Sequence, residues 1–243
     1  MQKMPNTVQR RRKPQRPRKA LHKLIKNDMI LRVSEDEYRR KVKRVYAGPR
    51  GAILATCSTL SLHVPLGERI FRTRKFDLRG LRSILDVGSG AGQIARHLVR
   101  YADPAAEVTC IDLSHHMLRR ARNRLKGDRP EFVAADLARL PFADAAFDCV
   151  TCGYVLEHLA DPETGLAEIA RVLEPGGRLL LLTTEDNLSG AWTSRIWYCR
   201  TYNRQELLKL CEGLGLLCKQ ELWYTKMHRA MRAGGICVEL EKA

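Results

Sequence analysis

From Leu81 onward, short apolar runs alternate with stretches whose apolar residues recur every three or four positions. That alternation predicts βαβ units and a parallel sheet. The strand-like runs are SILDVG (83–88), EVTCID (107–112), EFVAAD (131–136), FDCVTC (147–152) and RLLLLTT (178–184). Helices fill the gaps. After Ser114, Met117, Leu118, Ala121 and Leu125 share one side; after Asp161-Pro162, a cap followed by proline at the first helical position, Leu166, Ile169, Ala170 and Leu173 form a stripe. Beyond Thr184 the pattern predicts a long irregular stretch, then a helix capped by Asn203 with Glu206 three residues later. Two last β-like runs, LLCKQELWYT and GICVELEK, are close enough to pair as an antiparallel edge. The fold class is α/β: a doubly wound, mostly parallel sheet with an N-terminal helical extension.

Before Leu81 the regularity fades. Residues 1–27, with prolines at 5, 14 and 17, read as a disordered arm. Residues 28–80 read as a helical subdomain, in which Ser34 and Glu37 have capping-box spacing and a helix runs to about Tyr46. Residues 81–243 form the third unit. With 243 residues, 44% hydrophobic, the chain can bury one full-sized core plus this appendage.

Charge sharpens the division. Of the formal +16, residues 1–27 hold ten Lys/Arg and no acid, whereas residues 83–243 hold twenty bases against twenty-one acids. The run RRRKPQRPRK (10–19) is therefore part of a basic segment attached to a balanced domain, either a solvated tail or a tether to RNA or an anionic membrane surface. No window approaches the roughly eighteen apolar residues of a membrane span, and no apolar run follows the basic start as in a secretion signal. A cytoplasmic chain is expected, with a peripheral position at a membrane as the variant. The eight cysteines lie mostly in apolar runs, as reduced buried thiols do. Cys149 and Cys152 form C-x-x-C, but on a strand residues three apart point to opposite faces, so no redox or zinc site is predicted there.

The chemistry gathers at ILDVGSGAGQ, where an apolar strand ends in Asp86 and runs into Gly88, Gly90 and Gly92. The glycines permit a tight strand-to-helix turn and close backbone approach to a ligand. A dinucleotide fingerprint would need Gly or Ala where Gln93 stands, and Asp86 would repel a pyrophosphate while attracting positive charge. Asp112, ending the second strand, suits two ribose hydroxyls, and Asp136, ending the third, suits an adenine amino group. One acid per strand end describes a cradle for a cationic nucleoside.

Together with IDLSHHML, AADLARLPFADAAFDCV, YVLEHL and EIARVLEPGGRLLL in that order, this stretch resembles the class I S-adenosylmethionine-dependent methyltransferases, in particular their small-molecule and quinone methyltransferase group. The resemblance implies a Rossmann-like sheet of about seven strands and S-adenosyl-L-methionine as cofactor. It places the methionine half at Asp86, Gly88, Gly90 and Gly92, the ribose at Asp112, and the adenine at Asp136 and Leu137 with Leu113 and Met117 along its face.

YVLEHL follows the fourth strand, where an acceptor would meet the methyl group. Some quinone O-methyltransferases carry a metal-binding E-x-x-E-H here; Tyr154 replaces the first Glu, and Glu157 and His158 alone make a poor metal site, so no metal is expected. His158 is a candidate general base, with an unperturbed pKa of about 6.5. Glu157 and His158 equally suit a structural role in the turn, and Tyr154 suits either the sulfonium and acceptor or the core. Trp192, Trp197 and Tyr198, in the irregular stretch, are assigned to an acceptor lid, with aromatic core as the other role. Neither an Asn-Pro-Pro-Tyr nor a Pro-Cys nucleophile is present. The expected acceptor is small or lipid-like, with RNA as the alternative.

Overall fold

A computed structural model describes residues 63–125, 129–197, 199–231 and 234–243. The expected arm (1–27) and the helix from Ser34 to Tyr46 lie outside the described residues. The elements are α1 (His63–Arg72), β1 (Ser83–Val87), α2 (Ala95–Tyr101), β2 (Glu107–Asp112), α3 (His115–Leu125), β3 (Pro130–Ala134), β4 (Phe147–Gly153), a 3-10 turn (Leu156–His158), α4 (Pro162–Val172), β5 (Leu173–Thr183), α5 (Leu188–Trp197), α6 (Arg204–Gly213), β6 (Leu216–Glu221), α7 (Lys226–Met231) and β7 (Ile236–Lys242).

Seven strands form one sheet in the order β3-β2-β1-β4-β5-β7-β6. The first five run parallel, and β7 is antiparallel to both β5 and β6. Because the chain builds outward from β1 in one direction and from β4 in the other, a crevice opens at their carboxyl ends, the usual ligand position in such sheets. Strand β4 is buried along nearly its whole length, which is why FDCVTC is apolar without alternation. Its Cys149 joins a core cluster with Ile84, Leu98 and Leu180, while Cys152 joins the opposite cluster with Leu85, Leu166 and Ile169.

The stripes pack as their periodicity requires. Met117, Leu118 and Ala121 of α3 and Leu166, Ile169 and Ala170 of α4 are buried. Asp161 caps α4 by accepting from the Glu163 amide, with Pro162 at the first turn; Asn203 caps α6 by accepting from the Gln205 and Glu206 amides. Two expectations need correction, and a third holds. Residues 188–197 form a helix rather than an irregular stretch: Asn187 caps it, taking the Gly190 amide at 2.8 Å. The two last strands pair as the expected antiparallel edge, with β7 against β5 and β6 outermost. Strand β3 ends at Ala134, so Asp136 stands two residues beyond it, in a bridge with Arg139.

Candidate active site

At the carboxyl end of β1 the glycine turn takes the left-handed backbone that glycine adopts without strain, with φ of 66° at Gly88, 54° at Gly90 and 80° at Gly92. Gly88 has no room for a side chain, since a Cβ there would fall 2.0 Å from Cγ2 of Val155. The turn after β1 and the segment after β4 are thus in van der Waals contact across the crevice.

Asp86 sits beneath this turn and is almost fully buried. Its Oδ1 accepts from the Thr151 hydroxyl at 2.7 Å, while its buried Oδ2 has no hydrogen-bond partner among the described residues. Burial, with help from the nearby Asp112 charge, pushes the carboxyl up to about 6. A buried acceptor left this way is costly unless a ligand satisfies it. Asp112 is oriented by two amides, accepting from Gly90 at 3.0 Å and from Ser114 at 2.8 Å, one per carboxylate oxygen. Each oxygen keeps a second lone pair for a hydroxyl. Burial raises its pKa. Asp136 accepts from the Ala138 amide at 3.0 Å. Met117 is buried, Leu113 is half-buried, and Leu137 is turned into the core against Gly165 of α4. These residues fit a cationic nucleoside: a buried carboxylate with an open oxygen, Asp86, and a half-buried one, Asp112, flank a turn shaped for close backbone approach.

Around YVLEHL the structure separates three roles. Glu157 is 3% exposed and accepts from the Thr183 hydroxyl (2.6 Å), the Thr184 hydroxyl (2.8 Å) and the Thr184 amide (3.1 Å), so it ties the 3-10 turn to the end of β5. Burial raises its pKa. His158 is pushed by burial down to about 4 and is neutral near pH 7. Tyr154 is half-buried at the end of β4 with φ of 58°, its amide donating to Leu182 O at 2.8 Å and its hydroxyl 3.2 Å from that of Tyr224.

Trp192 is 73% exposed on α5. The side chain of Trp197 and all of Tyr198 lie outside the described residues. Sequence reasoning missed Thr151, which interrupts an apolar strand with a buried hydroxyl, and Tyr224, read as the end of a strand. It also missed Arg204. That side chain is nine-tenths buried; it pairs with Glu185 at 2.9 Å and Glu221 at 3.1 Å, lies over the Trp223 ring and donates to Gly235 O, clamping three segments of the carboxyl edge.

A family model described as a methyltransferase domain matches residues 85–181. The chain is 38% identical over 122 residues to the ubiquinone/menaquinone biosynthesis C-methyltransferase UbiE of Hahella chejuensis, covering 47% of this chain and 49% of that one. With the UbiE of Desulfotalea psychrophila it shares 42% over 105 residues, 43% of this chain and 42% of the relative. The chain therefore spans about half the length of the curated relatives it matches. Among solved structures, a putative methyltransferase from Bacillus halodurans C-125 aligns with a TM-score of 0.55 at 25% identity, over 65% of this chain and 71% of that one. A chain from the complex of the Haloferax volcanii Trm112 methyltransferase activator with a putative methyltransferase aligns at 0.66 and 21% identity, over 82% and 96%, which speaks to the fold alone.

Sheet order, glycine turn and strand-end acids define a class I S-adenosylmethionine-dependent methyltransferase domain, and that class implies S-adenosylmethionine as the cofactor. Within it, the matched stretch is similar to ubiquinone/menaquinone biosynthesis C-methyltransferases.

Proposed function

We propose that the protein transfers a methyl group from S-adenosylmethionine to a small quinone-type acceptor. The observation that carries this is the buried, unpartnered Asp86 oxygen beside the glycine turn, in a domain similar to quinone C-methyltransferases. When bound, the cofactor supplies a methyl group on a positively charged sulfur. Asp86 and the backbone of Gly88, Gly90 and Gly92 would hold its methionine portion, Asp112 its ribose hydroxyls, and Asp136, Leu113, Met117 and the backbone of Leu137 its adenine. Glu157 holds the acceptor side in place through β5. His158, neutral and weakly basic, would take a proton on its unprotonated ring nitrogen where the acceptor carries a hydroxyl. Helix α5 follows β5 at the carboxyl edge, so Trp192 would stand on an open apolar rim for a lipid-like acceptor, to which the sequence assigns Trp197 and Tyr198 as well.

The division at residues 27 and 80 is part of the same proposal, although Ile70, Phe71, Phe76 and Leu78 share a core cluster with Leu98 and Leu180. Among the described residues no helix is long and apolar enough to cross a membrane. Among the described residues six of seven free cysteines are buried, which supports a reducing, cytoplasmic setting. RNA as acceptor draws no support from the named relatives, and a role of residues 1–27 on RNA or anionic lipid rests on sequence charge alone. Labelled methyl transfer into a fractionated cell extract tests the reading. Label should enter the lipid or small-molecule fraction; label in RNA or protein, or none, contradicts it.

A further inference from the structure

We propose that Tyr154 and Tyr224 form a two-hydroxyl subsite that receives a phenol or enol oxygen of the acceptor. This rests on the methyltransferase reading and names the acceptor group that the site recognises.

The two hydroxyls meet at 3.2 Å although the residues are seventy positions apart. Tyr154 is placed at some cost, and Tyr224 is placed by a glycine. Tyr154 takes a left-handed φ of 58°, uncommon for a bulky residue and of order 1 kcal/mol or more in strain, at the end of β4 beside the Val155 that packs on Gly88. Tyr224 comes from the segment linking β6 to β7, which returns over the carboxyl edge through Gly234 at φ 96°. A Cβ on Gly234 would stand 3.1 Å from the Tyr224 ring and 3.2 Å from His228, so the glycine is what lets both rings close on it. His228 in turn lies edge-on to Tyr224 with centroids 5.8 Å apart, and its Nδ1 is 2.7 Å from the Thr225 hydroxyl. A phenol ring alone would fill this space as phenylalanine does; strain spent to bring two hydroxyls together indicates a use for the oxygens.

Their chemistry is that of donors. Burial raises both tyrosines above the ordinary phenol range, so near pH 7 both keep their protons. Neutral phenols do not deprotonate an acceptor, but they stabilise negative charge on an oxygen placed against them. A ring hydroxyl that donates electron density to a neighbouring carbon is the group such a pair favours.

The test uses the full-length chain saturated with S-adenosylmethionine, with 1-naphthol and 1-methoxynaphthalene as probes. Wild type should prefer 1-naphthol and lower the pKa of the bound naphthol, read from its absorption. Tyr154→Phe and Tyr224→Phe should each cut that preference by about tenfold, and the double variant little further, since hydrogen bonds to charged groups are the strong ones. Circular dichroism checks folding, and cofactor affinity should stay unchanged in all three. A wild type that binds both probes alike, or variants that keep the preference and the naphthol shift, overturns the subsite. Failure of the wild type to bind the cofactor would instead overturn the methyltransferase reading.

Discussion

Asp86 carries opposite consequences for stability and for binding. Its carboxyl is raised from 3.8 to about 6, so the folded state holds the proton more tightly than the unfolded chain and ionisation costs the fold roughly 3 kcal/mol above pH 6. Asp86→Asn should therefore raise Tm at pH 8, with the gain shrinking from pH 6 downward and gone near pH 4, as followed by thermal melts across that range. The same charge should attract a cation. S-adenosylmethionine affinity should fall by up to tenfold per pH unit below about 6 and level off above it, in a titration series from pH 5 to 8. Flat affinity across that window would remove Asp86 from the site. Glu157 is buried likewise, but both its oxygens are satisfied by donors. Glu157→Ala strands the Thr183 and Thr184 hydroxyls and one amide in the core, and should cost about 2–3 kcal/mol by denaturant titration, whereas Glu157→Gln should recover part of it through its remaining acceptor oxygen.

Elements were legible where a period and a cap agreed. Asp161-Pro162 and Asn203 start helices in the sequence as they do in the structure, and Asn203→Ala should cost about 1 kcal/mol in a thermal melt without altering cofactor affinity. Helix α5 was hidden because Ser189, Gly190 and Thr193 dilute its stripe and its apolar face at Leu188 and Trp192 points to solvent, at 74% and 73% exposure. Gly190 is there for contact, since a Cβ would lie 1.8 Å from Glu185 O. The interior place of β7 could not be read from chain proximity, because pairing with β5 is decided by which strand completes the burial of Leu179 and Leu181. The strand-end acids and glycines were readable because their spacing is local. Thr151 against Asp86 and Tyr224 against Tyr154 were not, being separated by sixty-five and seventy positions.

At the scale of the whole molecule, a nearly neutral domain carries the site and a basic N-terminal stretch carries the charge. If the two are independent, deleting residues 1–27 should leave turnover of a small acceptor unchanged while weakening attraction to anionic vesicles or RNA, a loss that disappears at high salt. A matching loss of turnover would instead tie the basic stretch to catalysis. The balance within the domain also fits the position of Asp86 and Asp112: a buried and a half-buried carboxylate in a neutral surround define a local cation site, not a general acidic surface. Isothermal titration of the full-length chain with S-adenosylmethionine at pH 7.5 tests that most directly. Wild type should bind with one site per chain, and Asp86→Asn and Asp112→Asn should each weaken binding at least tenfold while keeping the fold. No heat of binding to the wild type, or undiminished affinity in both variants, would contradict it.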